Sequence, residues 1–142
     1  MLNKIMNCNC TKLLNETDNL LLELEQHRIQ THLESIKKCI NTGNIIINGK
    51  MYSCVFCTNS QYMSETFEFM KNEYENYDLY FINYGTGISF RATKEEINVA
   101  NIVKIFGGGG HPGAGGTKIP FDIQKDYLEK ILNATIYVDE KF

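Results

Sequence analysis

The chain of 142 residues has no tryptophan, only two prolines and only three histidines. It also lacks any apolar run near the roughly 20 residues that a membrane-crossing helix needs. Positive charge is not in excess: 14 Lys and Arg stand against 17 Asp and Glu, for a net charge of −3. A protein that grips long duplexes through their phosphates usually carries a basic surplus. Composition therefore argues against a broad basic surface and leaves room for a small, local phosphate site. The five cysteines are odd in number and follow no secreted-framework spacing. The opening segment MLNKIMNCNC has no continuous apolar stretch and no small-residue cleavage site. The expectation is reduced thiols, a cytoplasmic location and no membrane partner. The length suits one domain with a real core and no disulfide staples.

The pattern of residues sets the expected elements. Residues 1–16 are polar and Asn-rich and read as a frayed lead-in. From Thr17 to Ile40, apolar residues at Leu20, Leu24, Ile29, Leu33, Ile36 and Ile40 recur at helical spacing, with Gly43 as the stop. Asn48-Gly49 between β-branched and alternating apolar runs predicts a tight hairpin. Residues 60–76 form an amphipathic pattern with Met63, Phe67, Met70 and Tyr74 on one stripe. Two strands are expected at 78–84 and 88–93, joined by the turn at 85–87. In the second, Ile88 and Phe90 face one way and Ser89 and Arg91 the other. Asn98 caps a short helix that runs into a glycine-rich stretch. Residues 117–121 read as a strand, with Pro120 marking an edge or an end. Asp122 opens a last helix with Tyr127, Ile131 and Leu132 inward, and residues 135–138 form a final strand. The fold class is α/β (α+β): a small mixed sheet, flanking helices and a long N-terminal linker helix. The expected division is 1–42 for lead-in and connecting helix and 43–142 for the folded domain.

The stretch FGGGGHPGAGG, residues 106–116, holds seven of the chain's 11 glycines. A flexible linker would mix in Ser; this segment contains His-Pro and is gripped by apolar segments on both sides. Glycines let successive N–H groups turn inward as an anion-binding nest and let a ligand approach the main chain. His111 can donate to a phosphate oxygen. Neither the Gly-Lys-Ser/Thr ending of a P-loop nor a dinucleotide fingerprint is present. The reading is a loop whose backbone cradles an anion, with Arg91, a planar donor fork, on the opposite wall of a shallow cleft. Asn83, Tyr84 and Lys104 are weaker candidates.

Gly108-Gly109-Gly110-His111-Pro112-Gly113-Ala114-Gly115-Gly116, with Ser89-Phe90-Arg91 and Asn98-Val99 upstream, resembles the C-terminal DHH-associated domain of DHH phosphoesterases. That family's motif is a glycine triplet, His, two variable residues and Ala-Ala-Gly; Gly115 replaces its second Ala, and Ala92 replaces a Ser that commonly follows the Arg. The resemblance covers roughly residues 40–120. It implies a substrate-binding module whose phosphate-binding residues are Ser89, Arg91, Gly108, Gly109, Gly110 and His111. It also implies a nucleotide or short single-stranded oligonucleotide as ligand. Hydrolysis would fall to a DHH catalytic domain, on the same or another chain, carrying divalent manganese or magnesium. The Asp-His-His signature is missing here, so neither catalytic residues nor metal ligands are expected in these 142 residues. A related non-catalytic domain in alanyl-tRNA synthetases, which helps engage tRNA, gives the alternative: a nucleic-acid-binding module. A homodimer through the N-terminal helix is a further expected partner.

Cys54-Val-Phe-Cys57 raises the question of zinc, which would need a second ligand pair. Cys8-x-Cys10 is short for that purpose, and i, i+3 residues of a strand face opposite ways. His27 and His32, five apart, share no helix face well. Buried structural thiols are expected.

Overall fold

A computed structural model describes residues 3–139, with side chains from residue 15 onward. It divides the chain into two compact units, Met1–Lys38 and Cys39–Phe142.

The first unit is one helix, α1 (Asn3–Lys37). The frayed lead-in expected over residues 1–16 is corrected here: the helix already runs at Asn3. No Gly or Pro interrupts the chain from Asn3 to Lys37, and the low propensity of each Asn is a cost of tenths of a kcal/mol that a long helix absorbs. Leu20, Leu21, Leu22 and Leu24 are exposed along it.

The second unit is a six-stranded mixed sheet. Its elements are β1 (Asn41–Ile47), β2 (Lys50–Thr58), α2 (Met63–Glu73), β3 (Leu79–Asn83), β4 (Gly87–Arg91), α3 (Val99–Ile105), β5 (Gly109–His111), β6 (Ala114–Lys118) and α4 (Phe121–Leu132). The spatial order is β1-β2-β3-β4-β6-β5. Only β2 and β3 run parallel, and α2 connects them. Asn48 (φ 53°) and Gly49 (φ 83°) make the turn between β1 and β2, as their sequence predicts. The parallel pair is fastened at its start. The Ser53 amide donates to Asp78 Oδ2 and the Asp78 amide donates to Ser53 Oγ, each at 2.9 Å. Lys94 Nζ donates to Asp78 Oδ1 at 2.8 Å and is the main reason that the carboxyl is held below its ordinary range.

The sheet has a core on each face. Cys54, Leu79 and Phe90 join Val99, Ile102 and Val103 of α3 on one side. Val55, Cys57, Tyr80 and Ile82 join Phe67 and Met70 of α2 on the other. Alternation along β2, β3 and β4 sends successive residues to the two cores in turn. Asn98 caps α3, accepting the Asn101 amide at 3.2 Å, as expected.

Two expectations about the C-terminal part fail. Tyr127, Ile131 and Leu132 of α4 are not inward: each is more than 60% exposed. Amphipathic spacing gives a helix an apolar face but does not say what covers it. Residues 135–138 form no strand. Pro120, by contrast, lies just past the end of β6 and before α4, in keeping with the strand end that its position predicts.

Candidate functional site

The glycine stretch is not a loop. Its first part ends α3: the Gly107 amide donates to the Lys104 carbonyl at 3.0 Å and the Gly108 amide to the Val103 carbonyl at 2.8 Å. Gly107 takes φ 83°, the left-handed conformation that terminates many helices. The rest is a hairpin, β5 and β6, with Pro112-Gly113 at its tip. Its register pairs Gly109 with Gly116, Gly110 with Gly115 and His111 with Ala114. The tip is pinned twice: the Val99 amide donates to the Pro112 carbonyl at 2.8 Å, and the Ala92 amide donates to the Gly113 carbonyl at 3.0 Å. The anion nest expected from Gly108, Gly109 and Gly110 is therefore corrected. The Gly108 amide already serves the helix end, and Gly109 and Gly110 lie in an edge strand, where alternate N–H groups stay open to a ligand. A glycine run hides this because strand alternation is read from side chains.

Cross-strand register then places the candidate side chains. Ala114 pairs with Arg91 on one side and with His111 on the other, and Arg91 pairs with Tyr80. Cross-strand partners project to the same face, so Tyr80, Arg91, Ala114 and His111 form one row. The next row on that face is Ile82, Ser89, Gly116 and Gly109. Tyr80 and Ile82 belong to the core beneath α2, which identifies the face. Arg91 and His111 are two strands apart, about 10 Å between backbones. Between them lie Ala114, Gly116 and Gly109, so no side chain larger than a methyl stands on the floor.

The two polar groups differ in how firmly they are held. The Arg91 guanidinium lies over the Phe67 ring, 4.5 Å from its centre. Its Nη1 donates to Ser89 Oγ at 3.0 Å and to the Phe90 carbonyl at 3.1 Å. His111 is exposed, and among the described residues its ring makes no hydrogen bond.

The sequence places Arg91 and His111 on opposite walls of a cleft; in the structure they flank an open floor on one sheet face. Cavities are found elsewhere on the second unit. One of about 360 Å³ is lined by Thr58, Asn83, Ile123, Gln124 and Tyr127, among others. Of the weaker candidates, Asn83 faces that cavity and accepts the Gly85 amide at 2.9 Å. Tyr84 sits at the β3–β4 turn, and Lys104 is carried by α3, beneath the opposite face. Phe67, on the apolar stripe of α2, is a core residue. Its contact with Arg91 bridges α2 and β4, and sequence spacing carries no signal for that.

Cys54 and Cys57 fall in different cores, one on each face of the sheet, so they cannot chelate one ion together. Cys8 and Cys10 lie outside the residues whose side chains are described. Among the described residues no group of three or more His, Cys, Asp or Glu is placed to hold a metal ion, so the residues present do not fit the metals that a DHH catalytic domain implies. Burial pushes the Cys57 thiol up to about 11, and raises Cys54 for the same reason. The thiolate is the reactive form. In folded protein at pH 8, a thiol-alkylating reagent is expected to label exposed Cys39 and spare Cys54 and Cys57. Mass-spectrometric mapping reads this out, and early labelling of Cys57 would contradict the buried geometry.

A mixed sheet with a helix on each face, carrying an arginine and a histidine on either side of a glycine-built floor, defines an α+β domain. The chain belongs to the DHHA1 domain family, whose model matches residues 51–137. Among solved structures, the chain resembles a pGpG-specific phosphodiesterase, PggH, from Vibrio cholerae. The TM-score is 0.52 and the identity 18%, over 78% of this chain and 39% of that one. It also matches an uncharacterized protein from Helicobacter pylori G27, with TM-score 0.45 and 24% identity, over 73% of this chain and 31% of that one. The chain thus spans well under half the length of either. No curated protein matches it in sequence.

Proposed function

We propose that this chain is the substrate-binding part of a DHH-type phosphoesterase. It holds a nucleotide or a short single-stranded oligonucleotide on the Arg91–His111 face while a metal-bearing DHH domain hydrolyses the phosphodiester. Manganese or magnesium belongs to that domain and not to these residues. The observation that carries the reading is the row Arg91–Ala114–His111: a charged fork and a ring donor on one face, with a floor bare enough for a flat or charged group to approach the main chain. Ser89 contributes by engaging Arg91, and Gly109 and Gly110 by keeping the floor low and an edge open. The net charge of −3 fits a small pocket-like grip better than a long nucleic-acid track. Hydrolase activity is expected only when the catalytic domain is present.

The fold is shared with a pGpG-specific phosphodiesterase, so pGpG is the first ligand to titrate, beside AMP and a longer single-stranded oligonucleotide. Expected is saturable binding of pGpG whose affinity falls only shallowly with salt, with a log–log slope of about −1 to −2, as for one or two phosphates. A steep slope that grows with oligonucleotide length would favour the tRNA-engaging alternative. Absence of binding at millimolar pGpG and AMP would remove the proposed site.

A further inference from the structure

Arginine carries five N–H donors in a rigid plane. At Arg91 both donors of Nη1 are engaged, by Ser89 Oγ at 3.0 Å and by the Phe90 carbonyl at 3.1 Å. Phe67 lies against the group, its ring centre 4.5 Å from Cζ. Phe67 itself is only 2% exposed and sits in the core beneath α2, so it cannot turn aside. Among the described residues, Nε and Nη2 donate to nothing. That edge of a guanidinium offers two parallel N–H groups, the geometry that matches two oxygens of a phosphate or carboxylate.

We propose that Phe67 is the positioning residue of the site. Together with Ser89, it clamps the Arg91 guanidinium so that only the Nε–Nη2 edge remains free, as a fixed fork for one phosphate group. The inference deepens the phosphate-binding reading above and rests on it. An arginine on a free stem would have to be ordered by the ligand on each encounter, and the loss of side-chain freedom would subtract from affinity. Held in advance by a ring and two acceptors, it binds with that ordering already done. A lysine offers a point charge and no fork, so charge alone does not replace it.

The test uses the chain as it stands, with AMP as probe and adenosine as the phosphate-free control. Wild type, Phe67→Leu, Arg91→Lys, Arg91→Ala and the double variant Phe67→Leu/Arg91→Ala are titrated. Phe67→Leu keeps an apolar side chain in the core and removes the π face. It is expected to weaken AMP about two- to tenfold, the ordering cost of one long side chain on binding, and to have no further effect once Arg91 is alanine. Arg91→Lys is expected to behave nearly as Arg91→Ala. The proposal is overturned if Phe67→Leu binds AMP like wild type while Arg91→Ala does not, or if Phe67→Leu costs the same in both backgrounds. Unchanged AMP binding in Arg91→Ala sinks instead the phosphate site itself. A readout needing no variant is the NMR signal of the Arg91 δ-methylene protons, which do not exchange with water, in ligand-free protein. A clamped side chain predicts two separate signals displaced by the ring current of Phe67, and a single averaged signal overturns the clamp.

Discussion

Gly110→Ala is expected to destabilise the second unit by on the order of 3 kcal/mol, whereas Gly109→Ala, one residue away, is expected to be neutral or mildly stabilising. A Cβ on Gly110 would lie 2.3 Å from Gly115 Cα and 2.4 Å from the Ala114 carbonyl oxygen. Both are backbone atoms of the paired strand, so relief requires the strands to part. A Cβ on Gly109 meets nothing within 4 Å, and its φ is not in the left-handed region. There the methyl costs nothing in the fold and trims the unfolded ensemble, an effect of roughly 0.5–1 kcal/mol in favour of folding. Against a total stability of roughly 5–15 kcal/mol, the Gly110 change is a large fraction. For a domain of this size it corresponds to a fall in melting temperature of roughly 10–20 °C. Thermal unfolding followed by circular dichroism compares the pair directly. Equal tolerance at both positions would mean that the stretch is a flexible loop and that the hairpin is wrong.

The contrast between these two glycines also marks where sequence reading stops. Asn48-Gly49 and Asn98 were legible because each solves a local problem: a turn that needs positive φ, and a helix amide that needs an acceptor. Ser89 and Arg91 were legible as one face of β4 because Ile88 and Phe90 between and beside them are apolar. In residues 107–116 the side chains that would show alternation are absent, and glycine content alone suggests a loop. The need for glycine there comes from a partner strand a few residues on, which no local pattern records. The start of α1 was hidden for a different reason: its Asn residues are poor helix formers one by one, but nothing in the stretch breaks a helix. α4 was legible as a helix with an apolar stripe, yet its direction was not, because a stripe names no partner. The family was legible from the glycine–histidine motif, whereas the Arg91–Ala114–His111 row needed the strand order β4-β6-β5.

Arg91→Ala is expected to weaken pGpG or AMP binding roughly ten- to a hundredfold, the effect of losing a bidentate, charge-assisted contact worth about 1.5–3 kcal/mol. His111→Ala removes a single donor and is expected to cost roughly three- to tenfold. Neither change should unfold the protein. His111 is exposed and bonds to no described residue, and Arg91 forfeits one cation–π contact worth about 1 kcal/mol. Thermal unfolding of both variants therefore separates lost binding from lost structure. The double variant carries the mechanistic information. The two side chains do not touch and share no protein partner, and sites about 10 Å apart usually add. With pGpG, additive losses indicate that Arg91 and His111 grip different groups of the ligand, one at each side of the bare floor. A double variant no weaker than Arg91→Ala alone indicates that both converge on one phosphate and that His111 acts only once the fork is engaged. With AMP, which offers a single phosphate, the His111→Ala loss seen with pGpG should disappear if His111 meets the second phosphate, and persist if it meets the base or sugar. Binding unchanged in Arg91→Ala and His111→Ala alike would leave the face without a ligand.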